Sequence, residues 1–338
     1  MMVGKNRAWL LTTRPTGLVG REHFQWHEDP LPAIRPGEFL IRNQWLSCDA
    51  AQRAWMQFDT YIPALPLGTV MASGAIGEVV TSKHPGFAPG DLVYGVFGWQ
   101  DYAVSDGSPF GGLVPPQKLP PGTDAITAMS LFGIGALTAY FGLLDIGRPQ
   151  PGETVVVSAA AGAVGSIVCQ IAKIHGCRVI GIAGGTQKCA WLRDVLGTDD
   201  AIDYKNEDLA VRLAQTCPDG IDVFYDNVGG AALDAALANL ADEARIVLCG
   251  AVSGYCVTPP EVTNLINLII RRATMRGFLV FDYLDRSPTA IKALAGWATE
   301  GKLINQVDII EGLEHAPDAL RRLFTGDNLG RQLVKIAD

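Results

Sequence analysis

A chain of 338 residues is long enough for two domains, and 48% of it is apolar, as suits a fold with several fully buried strands. Its 27 basic against 35 acidic residues leave a formal charge of −8, and with no basic run this argues against nucleic acid or an anionic membrane as partner. The seven cysteines stand singly, without paired spacing, the pattern of a reduced cytoplasmic protein.

Lys5 and Arg7 are followed by no long apolar core, so no signal peptide is expected. Residues 1–125 are rich in Pro and Gly, with strand-like runs at Phe39–Trp45 and Gly77–Thr81. Turn signals at Arg35-Pro36-Gly37 and Ala88-Pro89-Gly90-Asp91 separate them, which predicts a mostly β domain. The texture changes near Ile126. Thr154-Val155-Val156-Val157 is a β-branched run of the kind buried on both faces of a parallel sheet, and a helical pattern runs from about Ala163 to His175. Between them lies Ala160-x-Gly162-x-x-Gly165, a dinucleotide fingerprint with alanine in its first position. Gly162 would let backbone approach a pyrophosphate, Gly165 would let helix and strand pack closely, and the helix N-terminus would face the phosphates. Further strands are expected at Arg178–Ala183, Ala201–Tyr204, Ile221–Asp226, Ala244–Cys249 and Thr274–Val280. Helices are expected at Lys188–Leu196, Asp208–Thr216, Ala232–Leu240, Val262–Arg272 and Pro288–Gly301. Alternation of this kind implies a doubly wound sheet with right-handed crossovers. The tail from Lys302 returns to mixed texture. Although Thr154 to Ala172 is weakly polar, its alanines, glycines and strand-to-helix switch make it a buried βα unit rather than a membrane span.

A set of longer motifs carries a resemblance. They are Leu67-Gly68-x-Val70-Met71, Gly74-x-Ile76-Gly77, Gly90-Asp91-x-Val93-x-Gly95, Gly98-Trp99-Gln100-Asp101-Tyr102 and Gly135-Ala136-Leu137-Thr138-Ala139-Tyr140. Ala159–Ser166, Tyr225–Gly230, Cys249-Gly250-Ala251-Val252-Ser253-x-Tyr255 and Gly326-Asp327-Asn328-Leu329-Gly330-Arg331 continue the series. Over nearly its whole length the chain resembles a zinc-independent medium-chain dehydrogenase/reductase, the branch that holds prostaglandin reductases, leukotriene dehydrogenases, 2-alkenal reductases and curcumin reductases. The resemblance implies an α/β protein. A GroES-like, mostly β catalytic domain would be built from residues 1–125 and 302–338, and a Rossmann domain from 126–301. It also implies a homodimer.

Neither acid of an NAD site follows the second strand, which ends in Ala183-Gly184-Gly185-Thr186-Gln187-Lys188. Lys188 falls in the first turn of a helix, where a cation is disfavoured by the dipole, so an anionic partner such as the 2′-phosphate of NADP(H) is expected. In the related reductases residues matching Lys188 and Tyr204 contact this phosphate. The resemblance further implies cofactor contacts at Ala160, Gly162, Ala163, Val164, Gly165, Gly184, Asn227, Cys249, Gly250, Phe278, Val280 and Asn328. No metal is expected. Cys48 could suggest a first zinc ligand, but Leu67-Gly68-Thr69 stands where zinc-dependent relatives carry Gly-His-Glu, and a catalytic zinc needs three protein ligands. Without a Lewis acid, hydride addition to a conjugated C=C is the easier chemistry, since a hydroxyl can stabilise the delocalised enolate. The expected reaction is NADPH-dependent reduction of the α,β-double bond of a small enone or enal, with Tyr255 near the carbonyl oxygen. Arg53 and Tyr61 are substrate-side candidates, and Ala51 replaces a family tyrosine. A quinone reductase, a dehydrogenase of an allylic or hydroxy-lipid alcohol, and a non-catalytic nucleotide-binding regulator remain the alternatives.

Overall fold

The computed structural model describes residues 4–258 and 261–337. Contacts divide the chain into two units, one from the described residues of Met1–Met129 and Val307–Asp338, the other from Ser130–Gln306.

The first unit opens with β1 (Lys5–Leu11), β2 (Phe24–Pro30) and β3 (Phe39–Ser47), then the single-turn helix α1 (Ala51–Trp55). The strands β4 (Thr69–Val70), β5 (Gly74–Ser82), β6 (Leu92–Val96), β7 (Tyr102–Ser105) and β8 (Gln117–Lys118) follow, then α2 (Ala125–Ser130). Strands that pack one face inward need apolar side chains only at alternate positions, and the buried rows of β3 and β5 (Ile41, Ala75, Val79) meet Trp99 and Phe39 in the core of this unit.

In the second unit α3 (Ile134–Phe141) leads to β9 (Thr154–Val157), α4 (Gly165–Ile174), β10 (Arg178–Ala183), α5 (Thr186–Asp194) and β11 (Asp200–Asp203). Next come α6 (Leu209–Thr216), β12 (Ile221–Asp226), α7 (Gly230–Leu237), β13 (Leu240–Leu248), α8 (Ser253–Cys256), α9 (Ile266–Ile270), β14 (Thr274–Gly277) and α10 (Ser287–Thr299). The order β11-β10-β9-β12-β13-β14 is parallel throughout. Winding runs outward from β9 in one direction and then restarts at β12 in the other, so the switch point lies between β9 and β12. Val155, Val156 and Val157 are fully buried, which is why that stretch of sequence shows no alternation.

Three expectations change here. The helix expected over Ala232–Leu240 stops at Leu237, because Leu240 already belongs to β13 and pairs with Ile221. The helix expected over Val262–Arg272 is only α9. The Asp234 carboxylate accepts the N–H groups of Thr263 (2.6 Å) and Asn264 (2.8 Å), tying that stretch to α7 as a loop, and Arg272 at φ +52° ends the helix. The strand expected over Thr274–Val280 ends at Gly277, after which a 3₁₀ turn spans Val280–Arg286.

The chain returns to the first unit with β15 (Val307–Glu311), α11 (Ala316–Thr325) and β16 (Arg331–Lys335). There the larger sheet runs β15-β16-β3-β5-β6-β8, with β7 also paired to β3, and a smaller one runs β2-β1-β4.

Candidate active site

The turn after β9 is the natural starting point, since ligands of open parallel sheets bind outside the carboxyl ends at the switch point. Ala159 adopts φ +47°, a left-handed conformation that costs a residue with a Cβ about 1–2 kcal/mol. Ala160 N–H donates to the Ile182 carbonyl (2.9 Å), and Gly162 N–H folds back to Ala159 (2.9 Å). Ser166, Ile167 and Val168 donate to Gly162 and Val164, so the N–H groups of Val164 and Gly165 lie outside the ladder of α4. A Cβ on Gly165 would stand 2.4 Å from the Ala159 carbonyl oxygen and 2.8 Å from Ala160 Cα, so only glycine lets α4 start this close to the turn. A Cβ on Gly162 would meet nothing but that carbonyl, at 3.2 Å, and would fill otherwise open space above the turn. An open space over a helix N-terminus fits a phosphate.

A second corner forms where β10 and β11 end. A Cβ on Gly184 would lie 2.9 Å from both Tyr204 Cε1 and Lys205 Cε, so these side chains close over the glycine. Lys188 is the third residue of α5 beside it. The sequence shows no acid following β10, yet the structure brings one in from the neighbouring strand. Asp203 accepts from Gly185 N–H (2.7 Å), Lys205 N–H (3.1 Å) and Asn206 Nδ2 (2.8 Å). Burial pushes its carboxyl up, but these donors outweigh that and hold it below the ordinary carboxylate range. Both oxygens are thus engaged with protein donors, and the nearby Lys205 charge favours the carboxylate further.

The carboxyl ends of β12 and β13 supply the third part. Asn227 is buried, and its side-chain amide donates to the Ser158 carbonyl (2.7 Å). The Cys249 thiol is pushed up to about 12, chiefly by burial, and stays neutral. Tyr255 stands half-buried on α8, its hydroxyl 3.5 Å from Ala251 N–H, which donates to it. Burial raises its phenol above the ordinary value, so it remains a proton donor throughout the neutral range. Phe278 rests edge-on against Tyr283, whereas Val280 turns its side chain into the core with Leu137 and Phe141, leaving only its backbone to face a ligand.

In the first unit Asn328 is buried and donates to the Gly330 carbonyl (3.1 Å). Arg53 departs from its expected substrate role. It is fully buried, and its guanidinium donates to the carbonyls of Pro15 (2.8 Å) and Gly17 (3.0 Å) and to Gln57 Oε1 (2.6 Å), so it anchors a loop. Tyr61 packs edge-on against Trp55 at 6.2 Å, and Ala51 starts the same short helix as Trp55. Cys48 is buried, which pushes its thiol up, and the run Leu67-Gly68-Thr69 offers no imidazole beside it. Among the described residues no group of three or more His, Cys, Asp or Glu could hold a metal ion. This donor set does not fit a catalytic zinc.

Two family models match the chain, one described as the N-terminal domain of oxidoreductase over residues 7–112 and one as zinc-binding dehydrogenase over residues 163–296. The NADPH-dependent curcumin reductase of Escherichia coli (strain K12) is 39% identical, over 98% of this chain and 97% of its own. The NADP(+)-dependent 2-alkenal reductase of Nicotiana tabacum is 38% identical, over 89% and 88% of the two chains. Among solved structures, CurA from Vibrio vulnificus in complex with NADPH superposes with a TM-score of 0.92 at 38% identity, covering 98% of this chain and 99% of that one.

Proposed function

Because the chain belongs to the zinc-independent branch of the medium-chain dehydrogenases/reductases, we propose that it is an NADP(H)-dependent oxidoreductase that reduces the α,β-double bond of small enones and enals. Named activities of its relatives support this reading: curcumin reductase, 2-alkenal reductase and (+)-pulegone reductase. Under it, the turn from Ala160 to Gly165 and the start of α4 receive the pyrophosphate. Gly184, Lys188 and Tyr204 receive the 2′-phosphate, where Lys188 contributes charge and Tyr204 a hydroxyl. Asn227, Cys249, Gly250, Phe278 and the Val280 backbone contact the nicotinamide half. When bound there, NADPH would supply a hydride to the substrate β-carbon, and a proton from solvent or a hydroxyl relay would complete the reduction at the α-carbon.

The observation that carries the reading is Tyr255, a half-buried hydroxyl that burial keeps protonated, on the loop after β13 at the same carboxyl edge as the fingerprint turn. It donates a hydrogen bond to the substrate carbonyl oxygen and strengthens it as negative charge gathers there. A homodimer belongs to the same reading. Among the described residues the edge strand β14 pairs on one side only, and α9 just before it exposes Ile266, Ile269 and Ile270; light scattering reads the mass directly. The reaction itself is tested with NADPH deuterated at nicotinamide C4 and an aryl enone. Deuterium on the β-carbon is expected, while label on the carbonyl carbon, or turnover confined to quinones, would overturn the reading.

A further inference from the structure

Asp226 ends β12 and is fully buried. Such a carboxylate is costly unless its lone pairs are filled. Here they are filled without a cation: Ser158 Oγ donates to Oδ1 (2.8 Å), Val228 N–H to Oδ1 (2.9 Å) and Gly229 N–H to both oxygens (3.0 Å each). Gly229 caps α7, so the carboxylate also sits at the positive end of that helix. Burial raises its carboxyl, and these donors oppose the rise.

The donors come from two parts of the sheet edge, Ser158 after β9 and Val228 and Gly229 after β12. Ser158 follows β9, and its hydroxyl also receives Asn227 N–H (2.8 Å). The Asp226 carbonyl takes Cys249 N–H (2.8 Å) and Gly250 N–H (3.1 Å) at the end of β13. The next residues then hold the loop that carries Tyr255. Val252 N–H donates to the Asn227 carbonyl (3.3 Å), while Ser253 N–H (3.0 Å) and Ser253 Oγ (2.7 Å) both donate to the Val228 carbonyl. A Cβ on Gly250 would stand 3.0 Å from the Asn227 carbonyl oxygen, so that loop lies directly on the peptide which Asp226 fixes. No step between Asp226 and Tyr255 is longer than one hydrogen-bonded contact.

We propose that Asp226 is a positioning residue: by clamping the carboxyl ends of β9 and β12 across the switch point, it sets where the Tyr255 hydroxyl stands. The proposal rests on the role given to Tyr255 above, and it concerns orientation rather than proton transfer, since the buried Asp226 carboxylate is taken up by donors of the protein itself.

A double-mutant cycle tests it. Kinetics are measured with NADPH and an aryl enone for Asp226→Asn, Tyr255→Phe and the double variant. Asp226→Asn keeps the shape but puts an amide N–H₂ against a backbone donor. Each single variant is expected to lose on the order of 10-fold in kcat, less than the 10²–10³-fold typical of an oxyanion donor because the nicotinamide ribose hydroxyl shares the task. The double variant is expected to be no slower than the worse single one, the signature of two residues acting as a unit. NADPH Kd should stay within about twofold in all three, which distinguishes orientation from a loosened cofactor site. Ser158→Ala removes one donor from the same carboxylate and serves if Asp226→Asn fails to fold; the same lack of multiplication with Tyr255→Phe is expected. Losses that multiply, or an Asp226→Asn enzyme as fast as wild type, would overturn the proposal. A Tyr255→Phe enzyme at full speed would overturn it together with the Tyr255 role. Label transfer by the wild-type enzyme is read separately, so a wrong reaction class shows there and a wrong clamp shows only in the cycle.

Discussion

Lys188 and the two glycines of the fingerprint turn divide the cofactor's demands between charge and space. If Lys188 holds the 2′-phosphate, Lys188→Ala weakens NADPH binding by about 1.5–3 kcal/mol, the value of a hydrogen bond to a charged group, and leaves NADH binding unchanged. Equal losses for both cofactors, measured by fluorescence titration, would remove Lys188 from that role. The glycines separate differently. Gly165→Ala drives a Cβ to 2.4 Å from backbone and is expected to destabilise the fold by about 1–3 kcal/mol through overpacking. Gly162→Ala meets a single atom at 3.2 Å, so the melting temperature should hold while NADPH binding fails for want of room. If both variants melt like the wild type, the close approach of α4 is not what Gly165 provides. These residues are legible in the sequence because turn geometry and helix position are local properties. Asp203 and Asp226 are not, since their donors come from other strands, and an isolated aspartate gives no sign of what fills its lone pairs. Arg53 misleads for the same reason: although Gln57 is close in sequence, the carbonyls its guanidinium anchors lie about forty positions away, in the 15–17 loop.

At the level of elements, strands and helices with strong local signals fall where the sequence puts them: β10 and β12 match residue for residue, and α4 and α10 differ by one or two. One failure comes from a side chain elsewhere that competes with the backbone ladder. Apolar residues from Val262 to Ile270 read as one helix, but Asp234 on α7 captures the Thr263 and Asn264 donors and delays the helix to Ile266. Removing that acceptor should release the loop. Asp234→Ala is expected to cost about 1–2 kcal/mol for the lost hydrogen bonds, to speed amide exchange at 263 and 264, and to leave NADPH affinity alone. Unchanged protection at those two amides would show that the loop is held by something else.

At the scale of the molecule, the lack of a suitable donor set among the described residues leads to a direct expectation: purified protein carries no stoichiometric zinc, and EDTA leaves turnover intact. One zinc per chain, with activity lost on its removal, would reverse the chemistry proposed. Stability should depend on pH in a definite direction. Burial raises the carboxyls of Glu153 and Asp199, but Arg245 and Lys173 beside them outweigh it and hold both below their ordinary values. Groups depressed in this way stabilise the fold above the unfolded-state value, and that contribution is lost as pH falls through the folded one, in the acid range below about 4. Burial of His175 lowers its imidazole below 6.5, which adds a loss of the same sign as pH drops past that value. Asp226, raised by burial, acts with the opposite sign and is a single group. Melting temperature should therefore fall as pH is lowered through about 4 and below, and a rise over that interval would contradict this assignment. Composition and the alternation of β and α segments give the fold class, because two kinds of buried surface need two kinds of hydrophobic pattern. The mixed texture of the tail hides more. Nothing local in Arg331–Lys335 announces that it pairs with residues 45–47 at the other end of the chain.

That pairing bears on how the polypeptide comes off the ribosome. β15 and β16 are added outside β3, so that side of the larger sheet of the first unit stays unfinished until the whole of Ser130–Gln306 has been translated. The middle of the chain can finish its own sheet from contiguous sequence, while the amino-terminal strands wait with Trp45–Ser47 of β3 short of its β16 partner, the kind of open edge that recruits chaperones or neighbouring nascent chains. Chains stalled just after Gln306 should accordingly show a protease-resistant middle segment beside an amino-terminal segment that is still cleaved. Substitutions in β16 should then act less on the speed of the finished enzyme than on how many chains ever reach that state.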